Sequence, residues 1–138
     1  MSLRSKGSVG MSGKRYFLDT NAIIQLLKGN TQLVNLLVKA DYVAISVISR
    51  LEFLSFSGLT DNDRNLYERF EKQVTSVGLS VQDDRLLDNI IETRINSALK
   101  LPDSIILAKA NANDCILVTA DKQLLAQASY ESMGFELI

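Results

Sequence analysis

Short runs of consecutive apolar residues alternate with segments of helical periodicity along most of this chain. Such runs occur at 16–18, 42–47 and 116–119, with a weaker run at 74–79 and a last one at 135–138. Strands that are apolar throughout are typical of a parallel sheet covered by helices on both faces. Parallel strands also need long crossover connections, which the helical segments supply. The sequence therefore predicts one α/β domain with a mostly parallel sheet.

The helical segment at 82–99 has the clearest periodicity. Its apolar residues form one i, i+4 row with a second, shorter row beside it. The first row is Leu87, Ile91, Ile95 and Leu99, and the second is Leu86 and Ile90. Another helix is predicted from Ser49 to Gly58, with Ser49 as its N-cap and Glu52 at the capping-box position. Further helices are predicted at 22–28, 31–40, 61–73, 102–112 and 122–128.

Composition excludes several kinds of chemistry. The chain has 138 residues, a formal net charge of −1, no His and one Cys. Without His there is no Ser-His-Asp or Cys-His nucleophile and no His-based zinc site, so catalysis must use Asp, Glu, Lys, Tyr or water. The lone Cys115 lies in an apolar run and indicates a buried thiol in a reducing, cytoplasmic compartment. No apolar run approaches the roughly 18 residues of a membrane span, and the net charge does not by itself indicate a nucleic-acid partner.

Residues 1–13 differ in composition from the rest of the chain. They are rich in Ser and Gly and basic, but they lack the apolar centre of a signal peptide. We predict an N-terminal tail over 1–13, either native or left from cloning, and one folded domain over 14–138.

Four acids fall at the predicted strand-to-helix junctions. Asp19 ends the first strand, Glu52 lies near the start of a helix, Asp103 follows Pro102 at the start of another, and Asp121 follows the strand at 116–119. Each acid alone is explained by helix capping. All four are expected at the edge of the sheet where ligands bind, and there their negative charges would repel one another. A cation bound between them would offset this repulsion. Oxygen ligands alone favour Mg²⁺ or Mn²⁺.

Other phosphate chemistries fit less well. The segment 10–15 superficially resembles a phosphate-binding loop, but it precedes the first strand instead of following it. A phosphatase of the haloacid-dehalogenase type needs two aspartates two residues apart after the first strand, and Asn21 occupies the second place. A response-regulator receiver needs an adjacent acidic pair there, which is also missing.

Four stretches in order resemble the motifs of one known family. They are Tyr16–Asn21, Ser49–Phe53, Leu101–Ala108 and Leu117–Asp121. They resemble the PIN-domain nucleases, and among these the VapC-type toxins. The resemblance covers the chain from about Lys14 to Ile138. The sequence departs from the family at Ala120, where Asn is common, and at Gln123-Leu124, where an Asp-Phe pair is common. These departures bear on the assignment of Asp121, because the fourth ligand could belong to the later acid of that pair, which is absent here.

The resemblance implies a three-layer α/β/α fold with a five-stranded, mostly parallel sheet. It also implies an endoribonuclease that depends on Mg²⁺ or Mn²⁺ and whose catalytic, metal-ligating residues are Asp19, Glu52, Asp103 and Asp121. Members of the toxin type are usually homodimers restrained by an antitoxin protein. A catalytically inactive PIN-fold module that binds RNA or protein, and a metal-dependent phosphatase, remain as alternatives.

Several polar residues near the acids are candidates for substrate binding. Asn21 and Thr119 could hold the ligands or touch phosphate, or they could simply bond to local backbone. Four basic residues could form a phosphate-binding rim, or be solvated helix faces. They are Arg50, Lys100, Lys109 and Lys122. Glu52 is the candidate to orient or deprotonate the attacking water.

Overall fold

The computed structural model describes residues 13–128 and 132–138. The predicted tail lies outside the described residues, except for Gly13. The strands are β1 (Arg15–Leu18), β2 (Tyr42–Ser46), β3 (Thr75–Val77), β4 (Ile116–Val118) and β5 (Ser132–Met133). They form one five-stranded sheet in the order β3-β2-β1-β4-β5, and every neighbouring pair is parallel. The predicted α/β class with its five-stranded sheet is confirmed.

Helices connect the strands and cover both faces of the sheet. They are α1 (Thr20–Leu27), α2 (Thr31–Leu37), α3 (Val47–Leu54), α4 (Asp61–Glu71), α5 (Asp84–Asn96), α6 (Leu101–Ala112) and α7 (Lys122–Gln127). Successive strand residues point to opposite faces. Tyr16 and Leu18 of β1 accordingly belong to one core cluster with residues of α1, α2 and α4. Phe17, between them, belongs to a second cluster with residues of α6 and α7.

A ligand site is expected at the central strand β1, where the strand order of the sheet reverses. From β1 the chain proceeds to β2 on one side, whereas β4 and β5 lie on the other. A crevice opens at such a reversal of strand order, beyond the carboxyl ends of the strands. Leu18 is in register with Val118, and the next backbone amide, that of Asp19, donates to the Val118 carbonyl over 3.0 Å. Asp19 and Thr119 therefore lie side by side at this crevice.

Helix α3 begins earlier than the sequence suggests. Its N-cap is Ser46, whose hydroxyl accepts from the amide of Ile48 over 3.0 Å, and Ser49 is a buried residue of its first turn. The prediction of Ser49 as N-cap was wrong because β2 ends at Ser46, so the cap is the last strand residue. Glu52 consequently does not form a capping box, and its carboxylate is available for other contacts.

The C-terminal segment is held by side chains instead of strand pairing. The predicted strand at 135–138 is wrong, since pairing with β4 occurs at Ser132–Met133. Beyond it, the buried Asn30 donates to the Glu136 carbonyl over 2.7 Å, and the buried Gln25 accepts from the Ile138 amide over 2.7 Å. Two polar side chains of the α1–α2 region thus satisfy backbone groups that a ladder would otherwise satisfy.

The two apolar rows of α5 differ in burial. Leu86 and Ile90 are 3% and 5% exposed, whereas Ile91 and Ile95 of the longer row are 55% and 75% exposed. Ile91 and Ile95 therefore do not face the core of the described chain, whereas Leu99, the last residue of the predicted row, lies beyond the end of α5 and is buried. No helix among the described residues is long and apolar enough to cross a membrane.

Candidate acidic active site

Asp19 is a buried carboxyl at the carboxyl end of β1. It is 4% exposed and serves as the N-cap of α1, with Oδ1 accepting from the Thr20 amide over 2.7 Å. Burial raises its pKa from 3.8 to about 6, against the lowering effect of hydrogen bonds from Thr119 and Thr20. Buried ionisable groups with strongly shifted pKa values are concentrated at functional sites. The carboxyl groups of Asp103 and Glu52 raise this pKa further by charge repulsion.

Thr119 and Asn21 fix the second oxygen of Asp19. Thr119 is fully buried, and its hydroxyl donates to Asp19 Oδ2 over 2.7 Å. The same hydroxyl oxygen accepts from Asn21 Nδ2 and from the Asp121 amide, so its proton and both lone pairs are used. Asn21 Nδ2 also donates to Asp19 Oδ2 over 2.9 Å, and Asn21 Oδ1 accepts from the Ala120 amide over 2.9 Å. Both residues therefore contact Asp19 and also accept from backbone amides, Thr119 from Asp121 and Asn21 from Ala120.

Glu52 is held by a chain of hydroxyl groups that includes Thr20, the residue after Asp19. Thr20 Oγ1 lies 2.7 Å from Glu52 Oε1 and 2.9 Å from the Oγ of Ser49, which is fully buried. A hydroxyl has one proton, so when Thr20 donates to the ionised Glu52, Ser49 must donate to Thr20. These contacts tie α3 to the first residue of α1. Thr20 and Ser49 were not among the predicted site residues, although Thr20 follows Asp19 directly and Ser49 precedes Glu52 by about one helical turn.

Asp103 lies in the first turn of α6, behind Pro102. Its pKa is raised, first by burial and then by repulsion from Asp121 and Glu52, while Lys100 acts in the opposite direction. Lys100 is the N-cap residue of α6 and makes no side-chain capping bond. The N-terminal end of α6 therefore presents free amide groups together with one carboxylate and one cation.

Asp121 has a structural role in addition to any ligand role. Its Oδ1 accepts from the amides of Gln123 and Leu124, over 2.9 and 3.2 Å, so it caps α7. Its charge nevertheless acts on Asp103. Capping by one oxygen leaves Oδ2 without a bond from a described residue.

The four acids interact electrostatically without forming a closed set of ligands. Charge repulsion links Asp19 to Asp103 and Glu52, and Asp103 to Asp121. Within 13–128 and 132–138, however, no group of three Asp, Glu, Cys or His side chains is placed so that it could hold a metal ion. Coordination by three of these acids would therefore require their side chains to move closer together.

The four predicted basic residues do not share one location. Lys100 lies close enough to Asp103 to lower its pKa. Lys122 follows Asp121 in the first turn of α7 and is exposed, whereas Lys109 is in the last turn of α6 and half-buried. Arg50 reaches away to Glu71 of α4, with Nη1 to Oε1 at 3.3 Å. Of these four, only Lys100 acts on the charge of one of the acids, and Lys122 is the sequence neighbour of Asp121.

An apolar groove opens beside Glu52 and was not predicted. It has a volume of about 320 Å³ and lies between α1, α3 and α4. Its lining includes Thr20 and Glu52 at one end, with Lys28 and Asp63. The apolar residues of this α1–α3–α4 groove are Ile24, Leu27, Phe53, Phe56, Leu59 and Leu66. Phe56 is 66% exposed, so the groove presents apolar surface directly next to Glu52.

This protein is an α/β protein with a parallel sheet and carboxyl groups gathered at the switch point of that sheet. Comparison with protein families identifies the family: the PIN domain model matches residues 16–129. The chain belongs to the PIN-domain family. Comparison with curated proteins finds no match.

Solved structures with the same fold come from toxin–antitoxin complexes. One is VapBC2 from Rickettsia felis, crystallised with a DNA fragment from the promoter, with a TM-score of 0.73 and 19% identity, covering 88% of this chain and 99% of that one. Another is a toxin–antitoxin complex from Klebsiella pneumoniae, with a TM-score of 0.67 and 27% identity, covering 84% and 98%. A third is DNA-bound VapBC from Salmonella typhimurium, with a TM-score of 0.70 and 17% identity, covering 88% and 98%. The resemblance to PIN-domain proteins of this type is confirmed.

Proposed function

We propose that this protein is a metal-dependent endoribonuclease that hydrolyses phosphodiester bonds in RNA. The observation that carries this proposal is the buried Asp19 carboxyl, with a pKa of about 6, in the electrostatic field of Glu52 and Asp103 at the sheet's switch point. A protein that only bound RNA would have no need to keep a like-charged, partly desolvated group of this kind. Membership of the PIN-domain family supports the same conclusion.

The donor atoms at the site fit Mg²⁺ or Mn²⁺ in type. They are carboxylate oxygens, the ligands that hard divalent cations prefer. Asp19, Glu52, Asp103 and Asp121 would hold the cation, after the side-chain movement noted above. A bound divalent cation would offset the charge of phosphate and carboxylates and lower the pKa of a water molecule.

The chain's own residues supply orientation and charge. Thr119 and Asn21 hold Asp19 in one rotamer, and the Thr20–Ser49 hydroxyl pair holds Oε1 of Glu52. The other oxygen, Oε2, accepts from no described residue, and through it Glu52 would orient or deprotonate the attacking water. Lys100 lies beside Asp103 and would contact a phosphate of the substrate.

We infer that the protein acts as the cytoplasmic toxin of a toxin–antitoxin pair and as a homodimer. The VapBC structures and the toxin–antitoxin complex from Klebsiella pneumoniae, which share its fold, support an antitoxin protein as partner. The α1–α3–α4 groove supports the same inference, because apolar surface beside Glu52 offers a partner protein a binding site from which it would exclude substrate.

The nuclease proposal is tested with purified protein, a structured RNA and Mg²⁺ or Mn²⁺. We expect cleavage by the wild type and loss of cleavage in Asp103→Asn, while Asp61→Asn, an acid in the exposed first turn of α4, cleaves normally. The melting temperature should rise with Mn²⁺ in the wild type and much less in Asp103→Asn. Equal cleavage by wild type and Asp103→Asn would refute the assignment of Asp103.

The two alternatives give different results in the same experiment. A catalytically inactive RNA-binding module would bind the RNA and release no product with either metal. A metal-dependent phosphatase would release phosphate from a generic phosphomonoester and leave the RNA intact. For the partner, the protein is co-expressed with the neighbouring reading frame of its genome; a stable complex that does not cleave RNA is expected, and a complex that cleaves as fast as the free protein would contradict the toxin–antitoxin inference.

A further inference from the structure

A polar groove with a volume of about 450 Å³ lies between α5, α6 and the end of α7. Four carboxamide side chains line this α5–α6 groove, and none of the four acids of the candidate active site does. The carboxamides are those of Asn89, Asn96, Asn111 and Gln127. These side-chain amides make no bond with another residue within 13–128 and 132–138. Asn89 lies in the middle of α5, where asparagine is a weak helix former. The described fold thus makes no use of these donors and acceptors.

The other lining residues give the α5–α6 groove no positive charge. Glu92 is the one charged residue among the described residues that line it, and none of those residues is aromatic. The hydroxyls of Thr93 and Ser97 donate to backbone carbonyls of α5, over 2.8 and 2.6 Å, so toward a ligand they can only accept. The Glu92 carboxylate would repel a phosphate. The lining therefore favours an uncharged ligand with N–H donors, which the carboxylate, the hydroxyls and the amide oxygens would accept.

We propose that the α5–α6 groove binds bases of single-stranded RNA next to the scissile phosphate, and that it prefers adenine and cytosine to uracil. This inference rests on the proposed function for RNA as the ligand, and on the groove for the location and the base preference. A carboxamide donates and accepts at once and can pair with both N6 and N7 of adenine, whereas a carboxylate accepts from the N4 amino group of cytosine. Uracil has no exocyclic amino group to offer. The edges of unpaired bases are accessible in single-stranded RNA.

Helix α6 connects the α5–α6 groove to the acids. Asp103, Leu107 and Asn111 follow one another at intervals of four residues, so they lie along one side of the helix. Asn111 lies about 12 Å along the helix axis from Asp103. Lys100 and the free amides stand at the N-terminal end of α6, where a phosphate contact is proposed. Phosphate contacts at that end would position the strand, and base contacts along α6 would give it sequence preference.

An NMR titration of the isotope-labelled full chain tests the groove without requiring cleavage. The ligands are short oligoadenylate, short oligouridylate and inorganic phosphate, with a chelator present. We expect the side-chain amide signals of Asn96 and Asn111 to shift with oligoadenylate at about a tenfold lower concentration than with oligouridylate. Phosphate carries no base and should leave them unchanged. Asn62, in the exposed first turn of α4, is the control whose amide signal should not shift. Groove amides that do not respond to oligoadenylate, or that respond equally to phosphate, would overturn the proposal.

Truncating the amides measures what they contribute to affinity. Asn96→Ala and Asn111→Ala should each weaken binding of oligoadenylate about tenfold and change binding of oligouridylate little. Neither should change the dependence of affinity on salt, because no phosphate contact is lost. Lys100→Ala should instead weaken both RNAs equally and lower the salt slope by about one. Asn62→Ala is the matched control with wild-type affinity. Asn96 is exposed, so its truncation should leave the fold intact, and an unchanged melting temperature checks this for each variant.

The outcomes separate the groove from the nuclease activity. Base-dependent shifts in a protein that cleaves no RNA with Mg²⁺ or Mn²⁺ would support the groove and refute the nuclease. The double variant of Asn96→Ala with Asn111→Ala should cleave a pool of single-stranded RNAs with a weaker preference for adenine and cytosine beside the cut. A double variant with wild-type affinity and wild-type preference would refute the groove and leave the nuclease proposal standing.

Discussion

Removing the charge of Asp19 should change how the stability of the metal-free protein depends on pH. In the folded protein, burial raises the pKa of this carboxyl from 3.8 to about 6. A group whose pKa is higher in the folded state binds its proton more tightly there. Its contribution to stability is therefore fully present below about pH 4 and is lost as the pH rises through about 6. Asp19→Asn has no such titration and should lack this loss.

The magnitude follows from the two pKa values. A rise from 3.8 to about 6 corresponds to about 3 kcal/mol between fully protonated and fully ionised states. Between about pH 4.5 and pH 7.5 the wild type should lose about 2 kcal/mol from this group, since part of the titration of the unfolded chain lies below that range. The Asn side chain cannot accept as many bonds from Thr20, Asn21 and Thr119. That deficit is nearly constant with pH, so it shifts the variant's curve without changing its slope.

The assay is denaturant unfolding followed by circular dichroism, with a chelator present, at several pH values over this range. The expected result is a wild-type free energy of unfolding that falls by about 2 kcal/mol more than that of Asp19→Asn. Asp61→Asn, in the exposed first turn of α4, should keep the wild-type dependence. Parallel curves for wild type and Asp19→Asn would refute the reasoning, because they would mean that Asp19 is not desolvated in the folded protein.

Three further outcomes can be measured separately. Thr119→Val should lower the free energy of unfolding at neutral pH by about 1–3 kcal/mol, because Asp19 Oδ2 loses a donor, and Thr119→Ser should recover most of it in the same unfolding assay. Arg50→Ala should change stability by at most about 1 kcal/mol, since its bond to Glu71 is exposed, and should leave RNA affinity unchanged in a binding titration. The Asp19→Asn variant should bind a structured RNA weakly without Mn²⁺, with a salt slope of about four or less; tight, metal-independent binding with a steep slope would indicate a basic surface other than Lys100 and Lys122.

Four of the five strands and the positions of the acids relative to them could be predicted because they depend on local patterns. Apolar runs mark β1 to β4, whereas the run at 135–138 is not a strand and β5 pairs at Ser132–Met133. An acid directly after a strand lies at the sheet's edge wherever that strand sits. Asp19 illustrates this: its position follows from the run 16–18 alone. The start of α3 could not be predicted in the same way. Both Ser46 and Ser49 are good N-caps, and the choice between them depends on where β2 leaves the sheet, which is a tertiary property.

The side-chain contacts within the site could not be predicted from the sequence for a different reason. The hydroxyl of Thr20 meets Glu52 from 32 positions away, and Thr119 meets Asp19 from 100 away. No periodicity in the sequence records such pairs. Arg50 shows the opposite error: its proximity to Glu52 in sequence suggested a phosphate contact, but two residues apart on a helix point in different directions. Arg50 accordingly reaches Glu71 on α4.

At this site, the groups that would attract a phosphate are different from the carboxylates that would hold a metal ion. Asp19 is buried, Asp103 is partly desolvated, and Lys100 stands at the outer end of α6 beside it. A protein with a net charge of −1 has little long-range attraction for RNA. Contact with phosphate must then depend on groups near the acids, namely the free amides at the start of α6, Lys100, and a cation held by the carboxylates. The raised pKa values of Asp19 and Asp103 also favour a bound cation. Burial and mutual repulsion disfavour the ionised carboxylates, and a cation would stabilise them. Metal binding would therefore both stabilise the fold and complete the surface that contacts phosphate, so the pH range over which the metal-free protein loses stability should be the range in which its affinity for the metal rises.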